Sequence, residues 1–317
     1  MNAHVKVSST QNSALPIGYQ LQDYEIKKVL SSGGFSFVYL AEDKDKKIVA
    51  IKEYLPTSIA LRSNNATVLP NHDDLSLFRH GLKSFFDEGL SLAKIDHKNI
   101  VRVVNFFRAN ETVYMVMQYE QGKSLQDYIL GQTDSVSEKF IRQVFSELSN
   151  GLREVHTQKL LHLDIKPANI YIRQDGSPVL LDFGSARQTL SENLAKVSPS
   201  YTPGFAPPEQ YYDKKLLGPW SDIYSIGATM YACLTRTSPP AADLRIKNDL
   251  LIPAVKAGKN IYSNNLLELI DQCLSLDYLK RPQSVFSLQK SLLSAAPKPH
   301  KKPSFINKVV DILNKPL

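Results

Sequence analysis

"HLDIKPANI", residues 162–170, sets Asp164, Lys166 and Asn169 within six positions, with Pro167 between the last two. Three hydrophilic functions in so short a span are poor material for a helix or a strand. Pro167 removes a backbone donor and pushes Lys166 towards extended geometry, so the segment reads as a loop. A polar loop this compact is either a solvated turn or a chemical site. Its surroundings separate the two.

Downstream comes "YIRQDGSPVLLDFGSAR", short strand-like runs around a turn signal at "QDGS", with Asp182, Phe183 and Gly184 at the end. An acidic residue at a strand end beside glycine is well placed to ligate Mg2+. Transfer of a phosphoryl group needs an oriented nucleophile, metal ions bridging the phosphates, and positive charge for the oxygens. Asp164 could accept a hydroxyl proton, Lys166 neutralise the transferring group, and Asn169 hold a hard cation through its side-chain oxygen. "DFG" alone is a common tripeptide; eighteen residues after Asp164, across one turn, it carries weight.

The chain has 317 residues, enough for two domains or one domain of two lobes, and is 43% hydrophobic, too apolar for a disordered chain. No apolar run reaches the ~20 residues that cross a bilayer, and "MNAHVKVSSTQNSALP" lacks the pattern of a secretory signal. Cys233 and Cys273 sit in apolar contexts and read as buried free thiols suited to a reducing compartment. The net charge of +7 is spread along the chain, with one dense group at "PKPHKKP" and no basic stripe interleaved with aromatics, so no nucleic-acid partner is expected.

Residues 1–18 read as a flexible tail. "YEIKKVL", "FVYLAED", "KIVAIKEY", "IVRVVNFFRAN" and "TVYMVMQYE" have strand character, interrupted by one helix at "HGLKSFFDEGLSLAKI", with Leu82, Phe85, Phe86, Leu90 and Ala93 at helical steps. After "YEQGKS" the pattern turns helical: Ile141, Val144, Phe145, Leu148, Leu152 and Val155 form one stripe, and 221–235, 265–276 and 284–294 are further helices. The fold class expected is α+β and bilobal, a small antiparallel β lobe with one main helix (19–120) followed by a larger helical lobe (121–295). In the last segment, 296–317, Phe305, Val309, Ile312 and Leu313 share a helical face that would dock on the protein itself, on a partner or on a membrane surface.

These elements together resemble a eukaryotic-type (Hanks-type) Ser/Thr protein kinase of the bacterial kind, over roughly residues 22–294. The resemblance implies that Lys52 of "AIK" is the strand lysine that binds the α/β-phosphates, and that Glu88 is the helix glutamate that pairs with it. "HLDIKPAN" resembles the catalytic loop, with Asp164 the catalytic aspartate and Asn169 a metal ligand; Asp182 of "DFG" is the other. By the same resemblance Glu209 of "APPEQ" would pair with Arg281 of "KRPQS", and Asp222 of "WSDIYSIGATMY" would brace the catalytic-loop backbone. Lys166 and Thr202 match the Ser/Thr enzymes. Met117 takes the gatekeeper position and Gln118, Tyr119 and Glu120 the hinge that bonds adenine. Leu30, Ser31, Gly33, Val38 and Ala50 complete the nucleotide site. ATP with Mg2+ (or Mn2+) is the implied cofactor set, Ser/Thr side chains of proteins, its own included, the substrate, and the cytoplasm, its own cell's or a host's, the location. The rivals are a pseudokinase that binds nucleotide as a scaffold and a small-molecule kinase of the antibiotic phosphotransferase type.

Three features depart from the pattern. "SSGGFSFV" keeps only Gly33 of the three glycines expected in G-x-G-x-x-G-x-V, with Ser31 and Ser36 in place of the others; Phe35 at the tip would close over nucleotide or pack on the sheet. Leu163 stands where the family usually has an arginine that receives an activation-segment phosphate, so that switch lacks its receiving charge. About 35 residues separate Lys52 from Glu88, an insertion that is either a passive surface excursion or a means of steering the Glu88 helix.

Overall fold

Apolar residues alternate with polar ones through the first lobe, and there the backbone forms an antiparallel sheet, as a period of two requires. The computed structural model describes residues 14–182, 187–188 and 201–294. Strands β1 (Gln20–Leu21), β2 (Tyr24–Ser32), β3 (Ser36–Asp43) and β4 (Ile48–Tyr54) lead into an inserted hairpin, β5 (Ala60–Arg62) and β6 (Val68–Pro70). Helix α1 (Leu75–Leu92) follows, then β7 (Val103–Ala109) and β8 (Thr112–Gln118). The main sheet has six strands in the order β1-β2-β3-β4-β8-β7, all antiparallel.

Cross-strand pairs Val38↔Lys52, Lys52↔Met115 and Ala50↔Met117 put these side chains on one face of the sheet. Phe37, Glu53 and Tyr114 share the other face. That outer face is not bare. Leu15, from the segment whose composition reads as a tail, is buried, and its amide donates to Tyr39 Oη at 3.1 Å.

Helix α1 differs from its expected course. It begins at Leu75 rather than near His80, and the residues it buries are Phe78, Phe85, Gly89 and Leu92. Phe86 and Leu90 stay exposed. The earlier start lets the seven-residue spacing of Phe78, Phe85 and Leu92 select the inward face. A Cβ at Gly89 would overlap the Phe106 ring, so glycine there permits the helix to lie close on β7.

The second lobe starts with β9 (Gly122–Ser124) and α2 (Leu125–Leu130), capped by Ser124 Oγ, which accepts from Asp127 N. Helix α3 (Glu138–Thr157) buries the whole predicted stripe from Ile141 to Val155, each large side chain contributing on the order of 2 kcal/mol. Then come β10 (Leu160–Leu161), β11 (Ile170–Arg173), β12 (Pro178–Leu180) and β13 (Arg187–Gln188). Helices α4 (Pro208–Tyr212), α5 (Pro219–Thr235), α6 (Ala242–Lys247), α7 (Ala254–Ala257), α8 (Asn264–Cys273) and α9 (Val285–Ser294) complete the lobe. The hairpin β11–β12 brings the ends of the catalytic-loop candidate and Asp182 together: Leu181 N donates to Asn169 O at 2.8 Å. Both cysteines are free and buried, as their context predicts. Among the described residues no helix is long and apolar enough to cross a membrane. Phe183, Gly184, residues 189–200 and the segment 296–317 lie outside the described residues.

Candidate active site

Residues 162–166 form a loop whose shape is imposed from below by α5. Asp222 is fully buried and accepts Leu163 N on Oδ1 (2.8 Å), and His162 N (3.0 Å) and His156 Nε2 (2.7 Å) on Oδ2. Burial opposes its charge, but His156, His162 and the backbone donors outweigh that and hold its carboxyl below the usual range. Leu163 adopts φ 60°, a left-handed conformation that costs a non-glycine residue of order 1–3 kcal/mol and persists because the surroundings over-determine it. Its side chain is buried, and its carbonyl accepts Gln210 Nε2 at 3.0 Å. Composition did not point to Gln210, His156 or His162 as part of this scaffold. His162 donates from Nε2 to Leu181 O and accepts Asp164 N on Nδ1, and burial keeps its pKa low, so a neutral ring links the two loops.

Above this brace the Asp164 carboxylate takes three side-chain donors. Thr202 Oγ1 donates to Oδ1 at 2.7 Å, while Lys166 Nζ (2.7 Å) and Asn169 Nδ2 (2.9 Å) donate to Oδ2. Lys166 Nζ also donates to Thr202 Oγ1 at 2.7 Å, closing a triangle across 36 residues of chain. Asn169 Nδ2 donates further to Asp164 O at 2.8 Å, which leaves its Oδ1 turned to another use. Pro167 opens the short 3-10 turn that holds Asn169, the stiffening its position implies.

The lysine of β4 departs from expectation. Lys52 Nζ is ion-paired with Asp182, while Glu88 lies beyond ion-pair distance and its Oε1 is buried without a hydrogen-bond partner. The expected Lys52–Glu88 pair is therefore not formed in this structure. Burial opposes the lysine charge, and Asp182 and Glu88 together overcome it and raise its pKa. Burial pushes the Glu88 carboxyl up to about 8, against the pull of Lys52. A carboxylate denied its partner in an apolar pocket takes up a proton instead. Asp182, at φ 50°, is the second left-handed non-glycine residue of the site.

The nucleotide-binding candidates fall around one face. Val38, Ala50, Lys52 and Met117 share the inner side of the sheet, with Met117 buried. A register shift between Val29 and Ser31 leaves Leu30 unpaired and 39% exposed at the sheet edge, next to the Gly33 turn. Of the hinge residues, Gln118 has its amide taken by Arg102 O (2.9 Å), and Tyr119 is half-buried. The Glu120 carboxylate is ion-paired with Arg173 at 2.6 and 2.9 Å, a contact the sequence did not announce. Below, Arg281 makes the expected pair with Glu209 (2.7 and 3.1 Å), and Ser221 Oγ donates to the same carboxylate.

This geometry has relatives. A protein kinase domain model matches residues 24–293. The chain belongs to the protein kinase family. It is 31% identical over 231 residues to serine/threonine-protein kinase D of Synechocystis sp., covering 69% of this chain and 42% of that one. It is 30% identical over 285 residues to serine/threonine-protein kinase PknA of Nostoc sp., covering 86% of this chain and 46% of the relative. The chain thus matches less than half the length of these curated kinases. The solved structure "PpkA-294 apo form" superimposes with a TM-score of 0.79 at 34% identity, covering 89% of this chain and all of that one. The bilobal α+β fold read from the sequence is that of the family.

The residues that could hold a metal here are Asn169, through its amide oxygen, and Asp182, through its carboxylate; no group of three or more His, Cys, Asp or Glu suited to a metal occurs among the described residues. Two oxygen ligands are too few to cage a cation alone. They suit Mg2+, which keeps waters and draws the rest of its ligands from phosphates.

Proposed function

We propose that the protein is an active kinase that transfers the γ-phosphoryl group of ATP to serine and threonine hydroxyls of proteins. The observation that carries this is the triangle of Asp164, Lys166 and Thr202, with three contacts of 2.7 Å each. A carboxylate already oriented by three donors presents a fixed acceptor to an incoming hydroxyl, and such positioning lowers the barrier before any chemistry begins.

In the step itself the substrate hydroxyl oxygen attacks the γ-phosphorus, its proton passes to Asp164, and the bond to the β-phosphate oxygen breaks to release ADP. Lys166 lies beside Asp164 and balances charge on the transferring group. Lys52 would hold the α/β-phosphates, a role that requires it to leave Asp182 and that Glu88 would support by taking its place. Asn169 and Asp182 would hold Mg2+, which when bound neutralises phosphate charge. Thr202, set by both Asp164 and Lys166, resembles the threonine of Ser/Thr enzymes and supports that specificity over tyrosine.

The test is phosphorylation of a degenerate peptide library with labelled ATP by the wild type beside Asp164→Asn. Incorporation on serine and threonine, lost in the variant, is expected. Nucleotide-dependent melting without any incorporation would favour the scaffold reading instead.

A further inference from the structure

We propose that Arg62, on the inserted hairpin, is a positioning residue for nucleotide: with Glu53 it anchors the segment that holds the tip of the phosphate-covering loop. The proposal rests on the ATP-binding reading above.

Alternation along β4 sends Lys52 and Tyr54 to the face that carries α1 and turns Glu53 to the opposite face, where it is fully buried. A carboxylate there must be neutralised and hydrogen-bonded or it costs several kcal/mol. Three elements supply what it needs. Tyr39 of β3 donates to Oε2 at 2.7 Å, Tyr114 of β8 to Oε1 at 2.5 Å, and the Arg62 guanidinium of β5 pairs with Oε2. Arg62 also donates to Ala66 O at 2.9 Å, closing its own hairpin, and Val68 N donates to Asn110 O at 2.8 Å, tying β6 to the β7–β8 turn. The insertion is therefore keyed into the sheet through one buried charge pair, which is more than a passive excursion requires.

Between that key and β4 the chain touches the loop. Leu55 N donates to Phe35 O at 3.0 Å, and Thr57 N donates to Gly34 O at 2.9 Å. Pro56 stiffens the stretch between, and its carbonyl accepts both Ile59 N and Ala60 N, so a locked turn leads straight into β5. Five positions separate Thr57 from Arg62. The loop they hold is "SSGGF", and two adjacent glycines are expensive to order. Fixing its tip from outside the nucleotide site lowers that cost without a side chain that touches ATP.

Steady-state kinetics of full-length Arg62→Met and of the charge-free Glu53→Gln/Arg62→Met double variant provide the test. ATP KM should rise about tenfold, with kcat and peptide KM changed less than about twofold, and Arg62→Lys should recover part of the difference. A lower melting temperature with unchanged ATP KM would overturn the proposal. Hydrogen exchange on nucleotide-free wild type covers the case in which the variants do not fold. Protection of the Leu55 and Thr57 amides is expected, and exchange at unprotected rates would overturn the tether. This arm reads the tether whether or not the wild type turns over ATP, so the two readings fail separately.

Discussion

Thr202 Oγ1 donates to Asp164 Oδ1 at 2.7 Å, a bond that joins Thr202 to the candidate catalytic loop across 38 residues. Thr202 also accepts from Lys166, so removing its hydroxyl loosens both groups at once. Thr202→Val keeps the shape and deletes the two bonds. The expected result is a kcat lower by roughly 10- to 100-fold with little change in ATP KM, checked by steady-state kinetics. A serine at 202 should restore most of the rate, because it restores the hydroxyl.

Glu88 makes stability depend on pH. Its carboxyl is raised to about 8 by burial, so the folded state binds its proton more tightly than the unfolded chain does. That contribution is fully present below the unfolded carboxylate pKa of about 4.3 and is lost as pH rises through about 8. Glu88→Gln, which cannot ionise, should lose less stability over this window and melt a few degrees above wild type near pH 8. Melting curves from pH 5 to 9 check this. The same variant should be the poorer enzyme, since Lys52 would lack the partner it needs once it leaves Asp182.

Asp222→Asn replaces a carboxylate that accepts from two backbone amides and His156 by a group with one acceptor oxygen. At least one buried N–H is left unpaired, at a cost of about 1–3 kcal/mol. The Asp222 bond to Leu163 N is one of the restraints on that left-handed backbone, so without it the loop that carries Asp164 should shift. Urea denaturation should show the loss of stability and a peptide assay a fall in kcat of roughly tenfold or more.

Leu163 is buried and offers no positive charge at the position where the resemblance implies a phosphate-receiving arginine. Replacing Ser191, Ser198, Ser200 with alanine and Tyr201 with phenylalanine in one protein should leave activity within a few-fold of wild type, because no phosphate-binding guanidinium stands at that position. A folded but inactive quadruple variant, judged by melting and peptide phosphorylation together, would show that activation runs through these residues after all.

Arg281 and Glu209 pair deep in the second lobe, with Arg281 also donating to Ser275 O at 2.8 Å. Arg281→Met strands a buried carboxylate and should destabilise by about 3–5 kcal/mol, while the double variant with Glu209→Gln should recover part of that loss. Chemical denaturation of wild type, Arg281→Met, Glu209→Gln and the double variant measures the coupling.

Much of this molecule was legible in its residues because the signals are short-range. A period of two makes β2 to β4, a stripe at helical spacing makes α3, and a proline among Asp164, Lys166 and Asn169 makes a rigid polar loop; each depends on neighbours a few positions away. The pairing of Glu209 with Arg281 and the bracing by Asp222 were readable only through resemblance, since nothing local links such distant positions. Tertiary packing alone decided that Lys52 meets Asp182 rather than Glu88, that Phe78 and Leu92 join Phe85 in facing inward while Phe86 and Leu90 do not, and that an inserted arginine neutralises Glu53 behind the sheet. Those outcomes depend on which charges lose water together, and that is set by where the chain folds back on itself.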